Sequence, residues 1–241
     1  MALKVVFFDA AGTLFEARQP IGESYARIAR SYGVDASADA VAAGFRRAFH
    51  NAGGLAFGPG RPPAELRVME RDWWRAVVRE SFRGLGIFND FDAYFDELFR
   101  FFGDPANWRA DPEAAPLLRF LKRAGIEIGL ISNFDYRVYA ILEGLGLAGF
   151  FDSITISSEA GWAKPAPELF DAALARHCAT PGQSAHVGDA PHLDVAGATA
   201  AGLAAILIEP RAPERVAVNG RIARVASLAA VPEALEKMPF P

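Results

Sequence analysis

The chain has 241 residues, of which 51% are apolar, 12% aromatic and 22% charged. That length suits one large domain or two small ones around a substantial core, and the apolar half excludes a disordered chain. With 25 basic and 29 acidic residues the formal charge is −4, so no overall attraction to nucleic acid or to an anionic membrane is expected.

Cys178 is the sole cysteine, which excludes an intramolecular disulfide and a zinc–thiolate cluster. The first apolar run stops at Asp9, too soon for a secretion signal, and no later run reaches the length of a membrane span. The expected setting is the reducing cytoplasm.

Residues 3–8 form a β-branched and aromatic run without alternation, as in a strand buried on both faces. It ends in Asp9-Ala10-Ala11-Gly12-Thr13, a segment that must turn. Residues 20–31, 38–49 and 64–82 then read as helices, with Pro20 suited to a first turn. A fourth helix covers 91–102, where Phe91, Tyr94, Phe95, Leu98, Phe99 and Phe102 recur at three- and four-residue spacing behind an Asp90 N-cap. The Gly- and Pro-rich stretch 51–63 is a loop, and its part from Gly53 to Pro63 is the best candidate for a substrate-facing segment. The aromatic stripe and Trp73-Trp74 are expected to pack as core.

Beyond Pro112 the pattern alternates: helix 114–123, strand 127–131, helix 135–144, strand 153–156, helix 167–177, strand 185–187, helix 194–201, strand 204–208 and a final helix 231–237. Such alternation specifies a parallel sheet covered by helices. The expected fold is α/β: a Rossmann-like parallel-sheet core (residues 1–15 and 112–241) with a helical-bundle cap (16–111) inserted after the first strand. Ligands of such sheets bind beyond the carboxyl ends of the strands. Asp9, Ser132-Asn133 and Asp189 therefore become the first suspects, with the insert above them as a lid.

Four short signals occur in chain order: Asp9-x-x-Gly12-Thr13-Leu14, Ser132-Asn133, Lys164-Pro165, and His186-Val187-Gly188-Asp189 followed by Asp194. Together they resemble the four motifs of the haloacid dehalogenase superfamily of hydrolases, and the resemblance spans essentially the whole chain. It implies Asp9 as nucleophile, Thr13 as a neighbour orienting the phosphoryl group, and Ser132 as donor to the transferring group. Lys164 would offset charge, and Gly12 and Asn133 would lie against the substrate. Mg²⁺ would be held by Asp9, the Ala11 carbonyl, Asp189 and Asp194. Ser132-Asn133 and Asp194 also suit the plainer role of helix capping.

The chemistry is coherent on its own terms. A carboxylate facing a phosphoryl group is repelled unless cations offset both charges. A covalent aspartyl-phosphate divides one displacement into two, and positioned donors do most of the remaining work. Gly12 lets the backbone turn close to the ligand.

Ala11 departs from the family pattern. Most phosphatases of the superfamily carry a second Asp there, which protonates the leaving group and then activates water. Loss of such a group typically costs ~10²–10⁴ in rate. A slow phosphatase is the consequence, acting on a small phosphorylated molecule and preferring acyl or aryl leaving groups. A dehalogenase is disfavoured because Gly188-Asp189 is present. A Schiff-base phosphonate hydrolase is disfavoured because Lys4, Lys122, Lys164 and Lys237 all lie outside the insert. A vestigial phosphate- or metal-binding protein is the rival from another class. His192 is a candidate replacement acid–base, whereas His186 is expected to point away. Glu16, Arg18, Arg46, Arg47 and Arg61 read as surface charges. The expected partner is the small-molecule substrate alone, on a monomer or homodimer.

Overall fold

The computed structural model describes residues 3–210 and 216–240; the expected core limits at residues 1 and 241 fall outside them. The chain opens with strand β1 (Val5–Phe8) and the short β2 (Phe15–Ala17). Four helices follow: α1 (Ile21–Arg30), α2 (Ala38–Asn51), α3 (Pro63–Ser81) and α4 (Phe91–Phe101). Next come β3 (Trp108–Ala110), α5 (Ala114–Arg123), β4 (Glu127–Ser132), α6 (Arg137–Gly144), β5 (Ser153–Ile156) and α7 (Ser157–Ala160). The chain ends with α8 (Pro167–Arg176), β6 (Ser184–Gly188), α9 (Ala196–Ala200), β7 (Ala204–Ile208), β8 (Ala217–Asn219), β9 (Ile222–Val225) and α10 (Val231–Lys237).

The main sheet has the order β5-β4-β1-β6-β7-β9-β8. Every pairing in it is parallel except that of the edge strand β8 with β9. In β1, Val6 and Phe8 join the hydrophobic cluster with α5, α6 and α10, while Val5 and Phe7 join the one with α8. Successive side chains thus go to opposite, equally buried faces, which is why the run shows no alternation.

The insert has its own core of Tyr25, Ile28, Val78, Phe82, Tyr94 and Phe95. Its helices approach closely where glycine allows it: a Cβ on Gly44 would lie 2.1 Å from the Ser81 carbonyl oxygen. Asp90 caps α4 as expected, accepting from Ala93 N–H at 3.0 Å.

Besides the one-turn helix α7, four elements depart from the sequence expectation. The antiparallel ribbon of β2 and β3 straddles the expected domain boundary, pairing Phe15 with Ala110 and Ala17 with Trp108; three residues per strand are too few to show a period. The β8–β9 hairpin turns at Gly220, with φ +59°, in a stretch where no strand was expected. Helix α6 starts at Arg137 because Asp135 folds back to accept from Arg137 N–H at 2.9 Å. The helix expected from Asp194 begins instead as a wide π-type turn, Pro191–Val195, and continues as α9.

Candidate active site

β1, β4 and β6 are neighbours in the sheet, so their carboxyl ends bring Asp9, Ser132 and Asp189 to one place. Asp9 follows β1 directly, and its N–H donates to Val187 O at 2.9 Å, which locks it against β6. The turn then closes on the Ala10 carbonyl, which accepts from Thr13, Leu14 and Phe15 N–H at 3.3, 2.8 and 3.3 Å. The Ala11 carbonyl is not needed to close it. Gly12 has φ +95°, and a Cβ there would lie 2.6 Å from Asp189 Oδ2. Both constraints require glycine.

Lys164 is buried, with Nζ donating to Asp9 Oδ1 at 2.5 Å and to Asp194 Oδ1 at 2.7 Å. Burial opposes its charge, but the Asp9 and Asp194 carboxylates outweigh that and raise its pKa. Burial alone would raise Asp194; Lys164 and His186 overcome it and hold Asp194 well below the usual carboxylate range. Asp189 has no cation bonded to it: partial desolvation, then Asp9, then Asp194 push it up to about 6, against a weaker opposing pull from Lys164. Thr13 Oγ1 reaches Asp189 Oδ1 only at 3.5 Å. Ser132 is buried at the end of β4 and lines the cavity above Asp9.

Asn133 and His186 each make contacts that the sequence did not foretell. Asn133 lines the cavity and also holds Lys164: Nδ2 donates to Lys164 O at 3.0 Å, and Oδ1 accepts from Lys164 N–H at 2.7 Å. His186 does not point away; its Nε2 lies 2.8 Å from Asp194 Oδ1. Side chains two apart on β6 share a face, and Gly188 has no Cβ where Asp194 rests, so His186 and Asp194 meet there. A Cβ on Gly188 would fall 2.2 Å from Asp194 Cγ. Asp194 is not an N-cap of α9; its Oδ2 accepts from Ala190 N–H at 3.0 Å.

Oxygen atoms of Asp9, Asp189 and Asp194 lie within 4.8 Å of one another. An all-carboxylate set with excess negative charge fits a hard divalent cation such as Mg²⁺. Both Asp194 oxygens already have donors, so Asp9 and Asp189 are the stronger ligands, with the Ala11 carbonyl on the same turn.

Above these groups lies a cavity of about 910 Å³ between core and insert. Trp73, Trp74, Phe95, Phe99 and Phe102, expected to pack as core, also line it, because the four helices leave their sheet-facing side hollow. His192, Arg46 and His50 line it from exposed positions. The loop expected to face the substrate does so only through Gly53, Gly54 and Leu55. Further along, Gly58 N–H docks on Gly161 O of the core at 3.3 Å. Glu16 pairs with Arg109, and Arg61 with Glu65 at 2.6 Å, both on the surface.

Sequence reasoning missed a buried network joining insert and core. Glu70 of α3 accepts from Ser158 Oγ at 2.6 Å and from Tyr136 N–H at 3.3 Å, and burial raises its pKa. Asp135 accepts from Trp74 Nε1 at 2.6 Å and from Arg137 Nη2 at 2.6 Å. The only signal for it was a charged Asp135-x-Arg137 pair just after Asn133.

A parallel sheet with a nucleophile-like carboxylate, a buried lysine and an acidic cluster at its carboxyl edge, under a helical insert, is the arrangement of an α/β hydrolase. The haloacid dehalogenase-like hydrolase model matches residues 3–202, and the chain belongs to that family. It is 33% identical over 229 residues to the mouse (Mus musculus) haloacid dehalogenase-like hydrolase domain-containing protein 3, covering 92% of this chain and 88% of that one. Among solved structures it is similar to an L-2-haloacid dehalogenase from Xanthobacter autotrophicus, with TM-score 0.73, 18% identity, and 98% and 100% of the two chains covered. A phosphatase of the family from Thermococcus onnurineus superposes with TM-score 0.64, 22% identity, and 98% and 99% covered. Among the described residues no helix is long and apolar enough to cross a membrane.

Proposed function

We propose that this hydrolase is a slow, Mg²⁺-dependent phosphatase of a small phosphorylated molecule, working in the cytoplasm through an aspartyl-phosphate on Asp9. The observation that carries the reading is the pairing of Asp9 with buried Lys164 beside Asp189, which a carboxylate–phosphoryl encounter requires. Asp9, Asp189, the Ala11 carbonyl and Asp194 would hold Mg²⁺, whose contribution is to offset charge on the phosphoryl oxygens.

An Asp9 carboxylate oxygen attacks phosphorus, and the bond to the leaving oxygen breaks with its electron pair. The Ser132 hydroxyl donates to an equatorial oxygen, and the Lys164 ammonium offsets the charge gathered there. Water then attacks phosphorus, releasing inorganic phosphate and the free Asp9 carboxylate. Ala11 has no group to give the leaving oxygen a proton or to take one from that water, so the second displacement is the slow one.

The test is intact-protein mass spectrometry after mixing with acetyl phosphate and Mg²⁺, quenched in acid at several times. A phosphoryl adduct mapped to Asp9 that persists after substrate is consumed is the expected result. No adduct and no phosphate release would overturn the reading and favour the vestigial binder that Ala11 also suits. Halide release from a 2-haloacid in the presence of chelator would favour carbon–halogen hydrolysis.

A further inference from the structure

The cavity is far larger than a phosphoryl group, and its two ends differ in chemistry. Asp9, Lys164 and Asp189 make the core end ionic. Phe45 and Phe49 of α2, Trp73 of α3, Phe95 and Phe99 of α4 and the following Phe102 make the insert end aromatic. At about 910 Å³ it lies near the top of the ~300–1,000 Å³ usual for small-molecule sites.

Of the polar groups along the insert end, those of Trp74, Trp108 and Arg137 already have partners, whereas Trp73 Nε1 is buried without one. Trp74 Nε1 donates to Asp135, and Trp108 Nε1 donates to Phe102 O at 3.1 Å. Arg137 gives Nε and Nη2 to Asp135 and Nη1 to Phe99 O, with its plane over the Phe99 ring at 3.9 Å. Arg46 and His50 stand at exposed positions on α2, where the cavity opens. A polyol bound here would press most of its hydroxyls against ring faces that cannot replace water, which is unfavourable. A flat apolar body would instead stack among them.

We infer, resting on the phosphatase reading, that the substrate is a phosphate ester of an extended aromatic body, of the fused-ring aryl class, rather than a sugar phosphate. Ala11 is consistent with this independently, since an aryloxide leaves without a proton. The phosphoryl group sits against Asp9 and Lys164, and the rings reach into the insert.

The test compares 2-naphthyl with phenyl phosphate on the full chain with Mg²⁺. Their leaving groups have nearly equal basicity, so the ratio of kcat/KM isolates the second ring. A ratio of ~10 or more is expected. Ribose 5-phosphate, whose alkoxide would confound a rate, is read as a competitive inhibitor of acetyl phosphate hydrolysis. It is expected to bind at least ~10-fold more weakly than 2-naphthylmethylphosphonate. Phe49 is 41% exposed, so Phe49→Ala should fold, and it should lower the naphthyl-to-phenyl ratio several-fold. Hydrolysis of acetyl phosphate with a naphthyl-to-phenyl ratio near one, or ribose 5-phosphate binding as tightly as the phosphonate, would overturn the inference alone. Failure of every phosphate, acetyl phosphate included, to give product or adduct would overturn the phosphatase reading beneath it.

Discussion

Two residues of the turn after β1 bear most on the proposed chemistry: Asp9, clamped by Lys164, and Ala11, which has no acid–base side chain. Ala11→Asp is expected to raise steady-state phosphate release from acetyl phosphate by ~10²-fold or more, and Asp9→Asn to abolish both release and adduct. An Ala11→Asp variant no faster than wild type would show that the slow step lies elsewhere. Asp189 supplies a pH dependence. Its pKa is raised from 3.8 to about 6, so what this group contributes to stability is present in full below its unfolded value and is lost as pH rises through about 6. A cation beside Asp9 relieves that repulsion. The rise in Tm on adding Mg²⁺ is therefore expected to grow from pH 5 to pH 7, and a pH-independent rise would exclude Asp189 as a ligand. The positions of Asp9, Ser132, Lys164 and Asp189 were legible in the sequence because each ends an apolar strand run or precedes a Pro-started helix. The part played by His186 was not, since it depends on a missing Cβ two residues further on.

At the scale of elements, two tight segments shape the site: the turn after β1 and the wide turn before α9. Gly12→Ala places a Cβ against Asp189 at a backbone angle that L residues avoid. It is expected to cost roughly 1–3 kcal/mol and to weaken Mg²⁺ binding more than tenfold, as titration calorimetry would show. Unaltered Mg²⁺ affinity would mean that Asp189 can move aside freely. Helices α5 and α10 and strands β5 and β7 fall where hydrophobic period and Gly or Pro boundaries put them. The β2–β3 ribbon and the β8–β9 hairpin do not, because their strands have three or four residues and half-exposed faces. The wide turn was read as ordinary helix because Asp194 has the composition of a cap, whereas its carboxylate bonds back to Ala190.

At the scale of the whole molecule, the insert rests on the core through Glu70 and through the Trp74–Asp135–Arg137 contact. Trp74→Phe removes a hydrogen bond to a buried carboxylate and is expected to lower stability in urea by roughly 1.5–3 kcal/mol. Trp73→Phe should cost less, because the Trp73 indole N–H is buried without a partner. Equal losses would show that Asp135 does not hold the insert. A periodic pattern cannot reveal this network, nor that helix stripes predicted to pack would also wall a cavity, because both depend on how two hydrophobic cores meet. The ribbon of β2 and β3 has one more consequence. Arg18 N–H donates to Asn107 O at 2.9 Å, so the polypeptide departs from the sheet and returns to it at adjacent points. The insert is thus a cassette on a single two-stranded stem: descent can exchange it whole, and the body a relative recognises can change while its carboxylates and lysine stay in place.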